Sequence, residues 1–380
     1  MSKSESTVQA EEINKRRILV AIALSLIAGV FAYQFFLQDG RHYVSPDGEW
    51  YLASARGEIA VEPFSLRIIG PLLISVLTTL TGLSPQAAFQ LVTFASVIGS
   101  LLLLLKILRT HGAPFSYQLA ILMAFGSGLA ALFGHMPVLV DPLLLLFTCL
   151  FLFAVDRKGI AVGLMFVCLA TLTKEYAVFL TLAWLVRAFR QIGWRAVPIS
   201  LVPVALLIAA RALIPSLPND YFSIGALNYQ ESLISNPWTY FKTIYIWAWV
   251  ALWPVGLLSV LGIVATIRQR SRLSIDQIQC CAMLLAVPVL MISDWDRTFV
   301  ILVPFFCLAA ASSARLVHKL RFSMLLCLGA FATALARPYY VTPPPVSLRL
   351  GIICVSIVAT SVMAASIATF GMRQVIQVNQ

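Results

Sequence analysis

Asp47 and Glu49 stand two residues apart beside Trp50 and Tyr51, in the first polar loop of a chain that is otherwise mostly apolar. Closely spaced carboxylates either split their pKa values, which makes one of them a general base, or share a divalent cation. The plainer alternative is a turn, because Ser45-Pro46-Asp47-Gly48 is good turn sequence. Arg67 follows in Pro63-Phe64-Ser65-Leu66-Arg67, where it interrupts an apolar stretch and needs a partner. Phosphate is one such partner and Glu62 is another.

Further along, Asp141 precedes Pro142 and a run of leucines, an arrangement that suits a helix start as well as an active-site acid. Lys174-Glu175 closes the apolar run from Gly163 to Thr173. A lysine there holds a phosphate as a point charge, or snorkels to an interface beside a carboxylate; adjacency in the chain does not make the two an ion pair. Asp294-Trp295-Asp296-Arg297 puts two acids and an arginine on a short turn, with Arg297 able to grip a phosphate bidentately and an exposed polar turn as the alternative. Trp238 and Tyr240 read as membrane-boundary aromatics, with sugar stacking as the functional alternative. The histidines His42, His111, His135 and His318 give no pair on a helix face and no zinc spacing. A Walker loop, a dinucleotide fingerprint and a serine nucleophile elbow are absent from the sequence, so soluble-nucleotide chemistry is not indicated.

The elements that carry these residues follow from composition. Hydrophobic residues make up 60% of the 380 positions and charged residues 11%, against about 25% charged in soluble domains. Repeated apolar runs near the ~20-residue bilayer-spanning length predict an all-α polytopic transmembrane bundle. The 27 Lys and Arg against 16 Asp and Glu read as cytoplasmic loop charge, with membrane lipids and not nucleic acid as the surroundings. All seven cysteines fall in apolar runs as small core residues. The polar start, Met1 to Asn14, predicts disorder. Lys15-Arg16-Arg17 ahead of the first apolar run then places a tail of residues 1–17 in the cytoplasm, and the run reads as an anchor because no small-residue cleavage motif follows it.

Topology turns on Ile68 to Leu80, an apolar stretch of roughly 13 residues broken by Gly70 and Pro71, short of the ~17 to 25 a span requires. Read as re-entrant, it keeps Lys106, Arg109, Arg157 and Lys158 on the cytoplasmic side; read as a span, it would turn them outward against the charge rule. The predicted spans are then 18–37, 87–108, 116–134, 137–155, 159–174, 176–193, 196–214, 242–267, 277–293, 298–316, 322–336 and 349–370, about 12 in all (11 to 13) within one transmembrane domain over 18–380. Both termini are cytoplasmic, and outer loops occupy 38–86 and 215–241. Asp47, Glu49, Arg67, Asp141, Lys174, Glu175, Asp294, Asp296 and Arg297 all fall on the outer side, where costly ionisable groups near membrane depth face a cavity or one another.

In order and in common side, these residues resemble the GT-C class of polytopic membrane glycosyltransferases, such as the bacterial mannosyl- and arabinosyltransferases. Asp47-Gly48-Glu49-Trp50-Tyr51-Leu52-Ala53 looks like the acidic first outer loop of that class, and Pro63 to Leu73 like its juxtamembrane stretch. Asp141-Pro142-Leu143, the Thr-Lys end in Ala170 to Glu175, and Asp294 to Arg297 ahead of Pro304 resemble later motifs. The first loop departs from the class with Asp-x-Glu where some members have Asp-x-Asp or Glu-x-Asp, and a large C-terminal outer domain does not follow.

The resemblance implies a multi-pass protein of the plasma membrane, the inner membrane in a bacterium, with its active site on the periplasmic side. It implies a polyprenyl-phosphate-sugar donor and a lipid, glycan or polymer acceptor. In that scheme Asp47 is the base, Glu49 shares the role or holds a metal, and Arg67, Lys174 and Arg297 bind the donor phosphate. Tyr51, Asp141, Glu175, Asp294, Asp296, Trp238 and Tyr240 line the cavity. A cofactor is not required, with magnesium or manganese as the alternative at Asp47 and Glu49. The competing readings are a transporter or flippase of lipid-linked sugars, and a non-catalytic envelope assembly subunit.

Overall fold

The computed structural model describes residues 3–36, 46–135, 137–217, 272–285 and 299–314, together with Ser259, Ile263, Val264, Thr266 and Ile267. Among these residues the architecture is helical, and the only β pairing is a single bridge between Val61 and Leu217. The expected span 349–370, and most of 242–267 and 322–336, lie outside the described residues.

The first helix, α1 (Lys3–Phe36), corrects the expectation of a disordered start, because the polar segment continues the helix of the apolar one. The reason is visible in the spacing. Glu11 precedes Lys15 and Glu12 precedes Arg16 at i, i+4, the order that supports a helix. Next come α2 (Pro46–Ala55) and α3 (Ile69–Thr81), then α4 (Pro85–Thr110), α5 (Phe115–His135), α6 (Asp141–Asp156) and α7 (Ile160–Thr173). The series continues with α8 (Leu180–Ile192), the single turn α9 (Ala196–Ile199) and α10 (Val202–Leu213). It ends, among the described residues, with α11 (Ile275–Leu284) and α12 (Val303–Ala314). The bounds of α4 to α8 and α10 follow the predicted segments closely, apart from the starts of α6 and α8, each four residues late, and of α10, six residues late.

Helices α1 and α5 pack together, α4 lies against α5 and α6, and α6 lies against α7. Both α8 and α10 pack on α7, and α11 joins α8 to α12. The core runs through this bundle, with Phe151, Leu144, Cys149 and Trp184 fully buried and the Phe151 and Phe305 rings 6.5 Å apart. Cys149, Cys280 and Cys307 are buried free thiols, as their apolar settings predicted.

Two runs among the described residues are long and apolar enough to cross a membrane: Pro85–Thr110, of 26 residues, and Glu175–Leu213, of 39. The second is not one rod. A straight helix of that length would extend about 59 Å, yet α10 packs back against the 3-10 turn Glu175–Phe179, and the Leu217 amide donates to Ala60 O at 3.1 Å. The chain reverses at Gly193, whose φ of +60° is a conformation that side chains disfavour. The turn falls at the break predicted between segments 176–193 and 196–214.

Helix α3, predicted not to cross, has 13 residues, short of the ~17 to 25 a span requires. Arg67, just before it, bonds Glu175 after α7, and α4 starts only four residues after α3 ends. Along α4, Thr93 Oγ1 donates to Pro137 O at 2.7 Å, just ahead of α6. Both ends of α3 therefore lie at the end of the bundle that carries Asp141, while Leu72, Val76 and Leu80 remain exposed. Gly70 fixes its entry: a Cβ there would lie 2.7 Å from Val140 Cγ1. Gly70→Val should cost about 1 to 3 kcal/mol by overpacking, read as a lower unfolding midpoint, whereas Gly128→Ala, on helical backbone with open space around it, should not lower the midpoint.

Candidate functional site

Helix α2 places Asp47 and Glu49 in its first turn. Two residues correspond to about 200° of helical rotation, so the side chains diverge: Asp47 is buried and Glu49 is exposed. The pair therefore does not converge on one ion. Asp47, Tyr51 and Ser54, at i, i+4 and i+7, share the inward face instead.

Tyr51 is wholly buried, edge to face with Phe64 at 5.5 Å, and its hydroxyl accepts from Arg67 Nη1 at 2.5 Å. The guanidinium also donates from Nε and Nη2 to the two carboxylate oxygens of Glu175, at 2.8 and 2.6 Å. A bidentate fork of this kind is the strong form of the Arg–carboxylate pair. Arg67 was expected to require a partner. Among the described residues that partner is Glu175 and not Glu62, which pairs with Arg211 at 2.8 Å.

Lys174 and Glu175 are adjacent yet serve different partners, as their sequence position left open. Lys174 breaks the helix in an extended conformation, φ −158° and ψ 128°. Successive side chains on extended backbone point to opposite sides. Lys174 Nζ donates to Asp141 Oδ1 at 2.6 Å, and Tyr176 OH donates to the same oxygen at 3.1 Å. Asp141 is fully buried and Lys174 nearly so. Asp141 opens α6 with Pro142 at its first turn, as predicted. Any phosphate bound at Lys174 would have to displace Asp141.

Arg67 also lines an open groove of about 380 Å³ between the first loop, α3 and the end of α10. Its walls include Ser54, Ser65, Pro71, Leu72 and Ile214. The Ser65 hydroxyl is buried and has no hydrogen-bond partner among the described residues. Three of the five guanidinium N–H donors of Arg67 are used by Glu175 and Tyr51. The groove thus combines apolar walls with a guanidinium, a hydroxyl and the Glu58 carboxylate, which Arg56 engages at 2.6 Å, a lining suited to an amphiphile with a polar head. Tyr51→Phe should loosen the Arg67 fork and weaken binding of an anionic ligand by roughly one hydrogen bond to a charged group, about 1.5 to 3 kcal/mol, measurable by titration.

Thus Asp47, Tyr51, Arg67, Asp141, Lys174 and Glu175, drawn from four stretches of sequence, occupy one end of the bundle, and Glu49 lies at its surface. Arg297, Asp294, Asp296, Trp238 and Tyr240 lie outside the described residues. Tyr176 was not singled out in the sequence; its place two residues after Lys174 was the available signal.

At the other end, sequence reading missed a second cluster. His111, capping α4, contacts Asp156 Oδ2 through Nε2 at 2.7 Å and Asp276 Oδ2 through Nδ1 at 2.9 Å. Arg187 Nη2 bridges the same two carboxylates at 2.8 and 2.7 Å. His111, Asp156 and Asp276 offer three ligand atoms within 4.8 Å of one another, a spacing compatible with a metal ion. With imidazolium and guanidinium both present, however, the four charges already cancel, and the cluster is complete as a clamp between α4, α6, α8 and α11.

Hydrogen bonds to Asp156 and Asp276 raise the His111 pKa to about 9. A raised folded-state value contributes stability that is complete below the unfolded value of about 6.5 and is lost as pH rises through about 9. The thermal midpoint should therefore fall between pH 6.5 and 9 by the equivalent of about 2 to 3 kcal/mol. In His111→Gln this slope should disappear.

No protein-family model, curated protein or solved structure matches this chain.

Proposed function

We propose that this protein is a membrane glycosyltransferase that moves a sugar from a polyprenyl-phosphate donor to a hydroxyl of a lipid, glycan or polymer end. In this reading the Asp141 end of the bundle faces away from the cytoplasm, and the two apolar runs belong to a multi-pass domain of about 12 spans. The observation that carries the proposal is that the α2 face bearing Asp47 also presents Tyr51 to Arg67, which lines a groove with apolar and polar walls.

Asp47 takes the proton of the acceptor hydroxyl as that oxygen attacks the anomeric carbon from the side opposite the phosphate. The bond between the anomeric carbon and the phosphate oxygen breaks, and its electron pair leaves with the polyprenyl phosphate. The configuration is inverted. Arg67 and Ser65 meet the charge of the leaving phosphate, with Arg297 as a further cation. Lys174, closed by Asp141, serves to hold the end of α7 against α6 so that Glu175 can position Arg67. The diverging Asp47 and Glu49 favour a scheme in which a cationic side chain, and not a shared ion, neutralises the leaving group.

The test is the purified protein in native lipids with a panel of radiolabelled polyprenyl-phosphate sugars. Transfer of label, or release of free sugar, from one donor is expected. Movement of intact donor across the bilayer without cleavage would establish a flippase instead.

A further inference from the structure

The turn between α8 and α10 lies beyond Arg187, at the end of the bundle remote from Asp47, and has no part in the proposed transfer. Gly193 reverses the chain there, leaving Trp194 78% exposed and Phe189 42% exposed. Their rings meet edge to face with centroids 5.0 Å apart, so the indole is braced in an outward position. Arg190 and Arg195 flank the ring pair and are both exposed, as are Ile192, Val197 and Ile199. Unpartnered apolar surface of this size is unfavourable in water.

Charge identifies what covers it. Arg109, Arg157 and Lys158 are exposed at the same end. The carboxylates whose side chains are described there, Asp156 and Asp276, are engaged by His111 and Arg187. The opposite end, by contrast, exposes Glu49 and matches its other exposed charges in pairs, Arg56 with Glu58 and Arg211 with Glu62. Aromatic rings beside guanidinium groups on a surface of one sign match the headgroup level of an anionic leaflet, where rings sit at the interface and arginines hold phosphates.

We infer that the Phe189–Ile199 turn is a binding site for anionic phospholipid headgroups. Trp194 and Phe189 enter the interface, and Arg190 and Arg195 hold the lipid phosphates. The site rests on the membrane placement of the chain and is independent of the transfer reaction.

The test uses the full chain in phosphatidylcholine vesicles carrying a small fraction of either brominated phosphatidylglycerol or brominated phosphatidylcholine. Bromine quenches nearby tryptophan emission, and subtracting the signal of Trp194→Phe isolates Trp194 from the other tryptophans. The anionic lipid should quench Trp194 in excess, with roughly fivefold lipid enrichment for each arginine. High salt should lower the excess. Arg190→Gln with Arg195→Gln, both exposed changes, should reduce it to the zwitterionic level. Equal quenching by the two lipids, or an excess that survives the arginine changes, would overturn the site. Quenching of the other tryptophans with none at Trp194 would overturn it in favour of a protein partner. Absence of quenching at every tryptophan would remove the membrane placement and the proposal with it.

Discussion

In the proposed transferase, Asp47→Asn is expected to lower sugar transfer by about 10²- to 10⁴-fold, the range that a positioned general base contributes. The amide has nearly the shape of the carboxylate but cannot accept the acceptor proton at the moment of attack. Asp47 sits on the buried face of α2 that also presents Tyr51 to Arg67, whereas Glu49 points to the surface. Glu49→Gln is therefore the internal comparison, and its turnover should stay within a few-fold of the starting enzyme. The unfolding midpoint of each variant separates a chemical loss from a folding loss. Near-normal transfer by Asp47→Asn would sink its assignment as the base.

The second large effect concerns stability. Lys174→Met removes the cation from a pair in which Asp141 is fully buried and Lys174 is 3% exposed. Truncating one member of such a pair leaves an uncompensated charge and costs about 3 to 5 kcal/mol. Tyr176 still donates to Asp141 in that variant, which softens the loss without neutralising the carboxylate. The double change Asp141→Leu with Lys174→Met removes both charges, and it should recover most of the lost stability, because well-packed apolar pairs replace buried ion pairs at little cost. Chemical or thermal unfolding of the single and double variants in one detergent measures this. If the double variant were as unstable as the single one, the pair would be serving something other than charge balance at that site. Loss of Lys174 should also disturb Glu175, the next residue, and through it the fork on Arg67.

Much of the scaffold was legible because it rests on local signals. Apolar runs interrupted by Arg-rich or Pro-containing turns placed α4 to α8 and α10 near their observed bounds. The Gly70-Pro71 break and the short apolar run marked α3 as a helix shorter than a span, and it has 13 residues. Asp141-Pro142 marked the start of α6 by the ordinary preference for an acid and a proline in a first helical turn. The polar start failed as a prediction because composition alone does not report the i, i+4 order of Glu11 and Glu12 ahead of Lys15 and Arg16, a sequence pattern that supports a helix.

Partnership was not legible. Arg67 could have met Glu62, five residues away, but its fork closes on Glu175, 108 positions along. Lys174 and Glu175 looked like one unit until extended backbone at Lys174 sent them to Asp141 and Arg67. His111 looked solitary among four scattered histidines, yet it meets Asp156, 45 positions later, and Asp276 on α11. Apolar periodicity, turn residues and loop charge are properties of neighbouring residues, and so the sequence by itself determined α4 to α8 and α10, their order, and that Arg67, Asp141, Lys174 and Glu175 would share one end of the bundle. Ion-pair choice, the split between buried Asp47 and exposed Glu49, and the groove beside Arg67 depend on distances between segments far apart in the chain. Only the tertiary structure decided those, because a charge removed from water takes whichever opposite charge the packed helices bring within about 3 Å.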